Sequence, residues 1–142
     1  MIQPVPVMLA PRPSARVLLA DDDEELRALL AFGLRWHGFE VVEVVDGDEL
    51  YAHLGACLLE GSPKPDVIVS DLRMPGVSGL EVLGSVRRVK DIPFILMTGG
   101  HETRAEVLRS GAAAMLEKPF DLADLLDAVN DSIASSRRKR AD

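Results

Sequence analysis

Five short runs that are apolar almost throughout, VLLA (17–20), VVEVV (41–45), VIVS (67–70), FILM (94–97) and AAML (113–116), recur along the chain with helix-length segments between them. This alternation constrains the fold more than any other feature. A strand that is apolar at successive positions, rather than at every second one, is suited to burial on both faces, as in a parallel sheet. Parallel neighbours need long crossovers, and the intervening segments supply them. Leu26, Leu29, Leu30 and Leu34 carry helical spacing in the first. Leu80, Val82, Leu83 and Val86 carry it in the third, and Leu122, Leu125, Leu126, Val129 and Ile133 in the last. Helices from about 48 to 60 and from about 103 to 110 are expected with a weaker pattern. The reading is an α/β fold, a (βα)5 doubly wound parallel five-stranded sheet.

A chain of 142 residues with 47% hydrophobic content can build one core and is short for two. Residues 1–14, with prolines at 4, 6, 11 and 13, show neither period and are expected to be a flexible leader; the domain is assigned to 15–136, and 137–142 to a basic tail or linker stub. No run of eighteen apolar residues and no basic, apolar signal sequence is present, so a soluble cytoplasmic protein without a membrane partner is expected. The single cysteine, Cys57, can form no internal disulfide. Net charge is −7 and residues 137–142 carry +3, which leaves −10 for residues 1–136. Direct nucleic-acid binding by such a domain is disfavoured, and RRKR at the end of a helix reads as a solvated cap.

In doubly wound sheets ligands gather beyond the carboxyl ends of the strands. There the chain places Asp21, Asp22 and Asp23 after the first run, Asp71 after the third, Thr98, Gly99 and Gly100 after the fourth, and Glu117, Lys118 and Pro119 after the fifth. Carboxylates gathered in one cleft repel unless a cation joins them. Oxygen-only ligands with no His or Cys among them select a hard ion, and Mg2+ suits two or three carboxylates completed by water and a phosphate. A carboxylate is also a nucleophile toward phosphoryl groups, a reaction that depends chiefly on charge neutralisation. Asp71 on a rigid strand end would attack, with Lys118 and the Thr98 hydroxyl reaching the phosphoryl oxygens.

LLADDDEELR, SDLRMPGVSGLEVL, ILMTGG and EKPF together resemble the signature blocks of the receiver domain of two-component response regulators, over residues 16–136. The resemblance implies a sheet in the order 2-1-3-4-5. It makes Asp71 the acceptor of a phosphoryl group from a histidine kinase or phosphotransfer protein. Asp21, Asp22, Asp71 and the backbone carbonyl of Arg73 become the Mg2+ ligands, and Thr98 and Lys118 the residues that respond to the phosphoryl group. It further implies a commonly cis Lys118–Pro119 bond and a switching surface formed by the fourth helix, fifth strand and fifth helix. The domain promotes only its own phosphorylation and dephosphorylation and is not otherwise an enzyme. A phosphorylation-dependent homodimer is compatible with it, and the downstream effector or output domain is unspecified.

One departure stands out. Where the family often has Tyr or Phe, three residues before the lysine, this chain has Met115. Methionine is flexible enough to fill the same space. One alternative keeps the fold as a docking scaffold that ignores phosphorylation; a third class is a phosphatase with an aspartate nucleophile. The latter typically wants an acid two residues after the nucleophile, where Arg73 stands. Asp23, Glu24 and Glu25 read as a helix cap and dipole partners. His37, His53 and His101 show no ligand spacing, although His101 follows Thr98 closely enough to approach a phosphate.

Overall fold

A computed structural model describes residues 14–87, 92–100 and 102–141. Five strands alternate with five helices: β1 (Arg16–Ala20), α1 (Glu24–Trp36), β2 (Glu40–Val44), α2 (Gly47–Leu59), β3 (Val67–Asp71), α3 (Gly79–Arg87), β4 (Phe94–Thr98), α4 (Arg104–Arg109), β5 (Ala114–Glu117) and α5 (Leu122–Ala141). All pairings are parallel and the strand order is β2-β1-β3-β4-β5, the doubly wound arrangement expected from the apolar runs and the resemblance.

Successive strand residues point to opposite faces, which splits the core into two layers. Leu18, Ala20, Ile68, Phe94, Leu96 and Met115 face α2, α3 and α4 through Leu50, Leu54, Val82, Leu83, Val86 and Val107. Val17, Leu19, Val69, Ile95, Met97 and Leu116 face α1 and α5 through Leu30, Ala31, Leu34, Leu125, Val129 and Ile133. β1, β3 and β4 are buried at nearly every position, as their unbroken apolar runs require.

β2 departs from that expectation. It lies at the sheet edge, and only Val44 is fully buried. Val41 and Val42 are half-buried, one on each layer, and Glu43 pairs with Arg27 and Arg35 at 3.3 and 3.1 Å. An edge strand has a neighbour on one side only, so a charge in its middle can find solvent and a salt-bridge partner.

Local caps set the helix starts. Asp23, Asp46 and Thr103 each accept a backbone N–H of the first turn in α1, α2 and α4, and Thr103 with Glu106 completes a capping box. The expected apolar stripes need two corrections. Leu29 and Leu80 are exposed, because α1 and α3 carry apolar residues beyond the arc that reaches the sheet. α5 continues without a break through residue 136, and Arg137, Arg138 and Lys139 lie exposed in its last turns. Residues 1–13 of the expected leader, His101 and Asp142 lie outside the described residues. Among the described residues no helix is long and apolar enough to cross a membrane.

Candidate functional site

At the carboxyl end of β1 the chain passes from hydrocarbon to acid in one step. Ala20 is packed in the core, and Asp21, next along, has no solvent exposure. Its Oδ1 accepts the backbone N–H of Asp23 at 3.0 Å, a contact that also shapes the turn into α1. Its Oδ2 accepts from Lys118 Nζ at 3.3 Å. The Arg27 guanidinium anchors the same turn by donating to the Asp21 carbonyl at 2.7 Å.

Asp71 closes β3, two strands' width from Lys118 in sheet order, yet Lys118 Nζ donates to its Oδ2 at 2.9 Å. The loop after β5 directs this lysine back across the sheet's edge; the Lys118–Pro119 bond within it is cis. Asp71 Oδ1 accepts the Arg73 N–H at 3.4 Å, which holds the following turn close to the carboxylate. Gly79, at the start of α3, packs against the Asp71 carbonyl so tightly that a Cβ there would lie 2.6 Å from the oxygen. Any larger residue would displace the strand end.

Asp22 completes the cluster from the exposed side: carboxylate oxygens of Asp21, Asp22 and Asp71 all fall within 4.8 Å of one another. Three acids with no nitrogen or sulfur donor form a suitable hard-cation site. Burial lifts the Asp21 carboxyl above the ordinary aspartate range, against the Asp23 N–H and the Lys118 ammonium, which favour the anion. Burial acts to lower the Lys118 pKa, but the carboxylates of Asp71 and Asp21 outweigh it and hold the ammonium above the usual lysine value. The site therefore keeps its lysine charged and gathers more negative charge than that lysine neutralises.

Thr98 ends β4 and is buried; Met97, just before it, is the register partner of Asp71. Its Oγ1 accepts the Gly100 N–H at 3.3 Å, and its carbonyl accepts the Lys118 N–H at 2.8 Å, so the threonine is tied to both neighbouring loops. Asp21, Asp22, Asp71 and Lys118 thus converge by their side chains, and Thr98 stands at the adjoining strand end. Arg73 contributes a backbone contact while its side chain extends over the mouth to Glu102, with Nε and Nη2 at 2.9 and 2.7 Å from Oε1.

Sequence reasoning missed Arg27 and Glu102. Neither has a spacing that reveals its role: Arg27 is one charged residue of α1 outside its apolar stripe, and Glu102 lies 29 residues from its partner. Glu117, the chain neighbour of Lys118, is exposed, and the lysine is held by Asp21 and Asp71. Met115 is buried in the layer facing α2, α3 and α4, opposite Leu96. His37 closes α1 by donating Nδ1–H to the Gly33 carbonyl at 2.9 Å.

Clustered acids and an inward lysine at the carboxyl edge of an open doubly wound sheet form a site of the kind expected of a signalling receiver. The comparisons agree. The profile of the response regulator receiver domain matches residues 17–130. The transcriptional regulatory protein PrrA of Mycobacterium tuberculosis is 38% identical over 119 residues, 82% of this chain and 48% of that protein. The phosphate regulon transcriptional regulatory protein PhoB of Escherichia coli is 32% identical over 119 residues, 80% of this chain and 49% of that protein. The receiver domain of the Francisella response regulator 1452 superposes with a TM-score of 0.76 at 28% identity, covering 87% of this chain and 99% of that one. The chain belongs to the response regulator receiver domain family of two-component systems. It spans about half the length of PrrA and PhoB.

Proposed function

We propose that this domain accepts a phosphoryl group on Asp71 from a histidine kinase or phosphotransfer protein and relays the event through the surface of α4, β5 and α5. The observation that carries the reading is the lysine bridge. Lys118 Nζ contacts both Asp21 and Asp71, so the one cation of the cluster already lies beside the proposed nucleophile.

In the transfer, an Asp71 carboxylate oxygen forms the new O–P bond as the N–P bond of a phosphohistidine breaks, and that electron pair returns to the imidazole. Lys118 stays protonated and turns from the carboxylate oxygen toward the incoming phosphoryl oxygens. Asp21, Asp22, Asp71 and the Arg73 carbonyl would hold Mg2+, which when bound supplies further charge neutralisation at the phosphoryl group. Thr98 accepts a bond from Gly100 in this structure and keeps its own proton to donate. Moving that hydroxyl toward the new anion would pull on the β4–α4 loop, shifting an existing balance between two conformations. Met115, buried beside Leu96, is free to repack as the threonine moves.

Acetyl phosphate with Mg2+ tests the reading directly. The native protein should gain one phosphoryl mass and Asp71→Asn should gain none. Uptake that is absent from the native protein, or equal in the variant, overturns it; the docking scaffold then becomes the better account.

A further inference from the structure

Arg27 lies one helical turn past Asp23, and its side chain is only 11% exposed. Arginine is seldom buried this far unless its charge is paired. Among the described residues its carboxylate partner is Glu43 of β2, which accepts from Nε at 3.3 Å. Toward the acidic turn, Nη1 donates at 2.7 Å to the Asp21 backbone carbonyl and not to a carboxylate of the cluster. The guanidinium therefore joins α1, the end of β1 and the edge strand.

The contacts of Arg27 bracket Asp22. The Arg27 backbone N–H donates to the Asp23 carbonyl at 2.9 Å, while the guanidinium holds the Asp21 carbonyl. Asp22 stands between those two anchored peptide groups. The same turn is tied to β2, where the Val44 carbonyl accepts the Asp21 N–H at 3.3 Å. Asp21 is fixed further by its own buried carboxylate, but Asp22 is exposed and meets Asp21 and Asp71 only as its backbone directs it. A metal ligand is effective when the groups behind it lock its geometry.

We propose that Arg27 is a positioning residue for the divalent cation, aiming Asp22 into the cluster, and that Glu43 keeps it in that role; this rests on the Mg2+ site proposed above. A guanidinium free to turn toward the clustered carboxylates would pair with them and occupy the oxygens a cation needs. Glu43 prevents this. One of its oxygens takes Arg27 and the other takes Arg35 Nη1 at 3.1 Å, which leaves Nη1 of Arg27 directed at the carbonyl. The glutamate in the middle of β2, in register with Leu19, thereby gains a use beyond tolerance of an edge position.

Calorimetric titration of the full chain with MgCl2 alone, without a phosphodonor, tests this assignment. Arg27→Met should raise the Kd for Mg2+ about tenfold, the size of loss expected when a support behind a metal ligand is removed. The direction is diagnostic, because removing a positive charge beside a cation site would by itself tighten binding. Arg27→Lys keeps the charge and loses the fork, so it should still weaken binding about threefold; it carries the test if circular dichroism shows Arg27→Met to be unfolded. Glu43→Gln should also weaken binding about threefold, and combining it with Arg27→Met should add nothing, since Glu43 acts through Arg27. Folded Arg27 variants that bind Mg2+ as the native chain does overturn the proposal, and so does additive weakening in the double variant. Either result leaves phosphoryl transfer to Asp71 standing, since acetyl phosphate tests that separately. A native chain that takes up no Mg2+ overturns the metal site together with this role for Arg27.

Discussion

Ala20 and Asp21 are neighbours at the end of β1 and are equally buried, yet they belong to opposite regimes. Below the sheet's carboxyl edge, burial of hydrocarbon supplies stability. At the edge, the same burial strips water from carboxylates that crowd one another and share one lysine. Removing a core side chain should therefore damage the fold and spare the chemistry of what remains folded, whereas removing an edge side chain should do the reverse. Crowding three carboxylates around one lysine there is a cost to stability that the proposed phosphoryl chemistry would explain.

The contrast can be broken most sharply at Asp71. Asn there should reduce phosphoryl uptake from acetyl phosphate at least about 100-fold while urea unfolding shifts little, because the nucleophile is lost but the volume is kept. A large loss of stability would make Asp71 structural. In the body of the sheet, Leu96→Ala should cost about 2–5 kcal/mol in urea unfolding, the range for a fully buried leucine that leaves a cavity.

Asp21→Asn sharpens the comparison from the other side. Without divalent ions at neutral pH it should raise stability by about 1 kcal/mol, since a buried anion beside other anions is replaced by a neutral amide. The sign follows from the raised Asp21 pKa. The folded state favours the protonated carboxyl, so its stabilising contribution is complete below the ordinary aspartate pKa and is lost as pH rises through the higher folded value. Urea midpoints of native and variant protein should therefore converge on acidification from neutral pH. Divergence would show that Asp21 is held as a stabilising anion.

The smallest expected effect lies across the mouth of the site. Glu102→Gln should change stability by no more than about 0.5 kcal/mol, because glutamine keeps an oxygen toward the 72%-exposed Arg73 and relieves the 15%-exposed Glu102 side chain of a buried charge. A larger change in unfolding would mean that the pair clamps the two loops.

Much of this layout is legible in the residues. VLLA, VIVS and FILM read as buried parallel strands because each is apolar at successive positions, and the structure buries them on both faces. Asp21, Asp71 and Lys118 stand out because strand ends on one edge of a doubly wound sheet must lie near each other. VVEVV was less transparent, since its central glutamate makes sense only once β2 is known to be an edge. Leu29 joined the core stripe on spacing alone, and helical periodicity cannot choose between two apolar sides of one helix. Arg27 and Glu102 left no trace, as their partners are fixed by folding rather than by local spacing.

The order of apolar runs, turns and strand-end acids was sufficient to determine a parallel five-stranded sheet, its double cover of helices and the edge at which chemistry is to be sought, while the strand order followed only from the family resemblance, because backbone periodicity and hydrophobic burial act over a few residues at a time. Which carboxylate the lysine reaches, which arginine bridges the loops and which side of α1 remains open were decided only by the assembled fold. Those outcomes depend on distances of a few ångströms between segments far apart in the chain, and local pattern carries no measure of them.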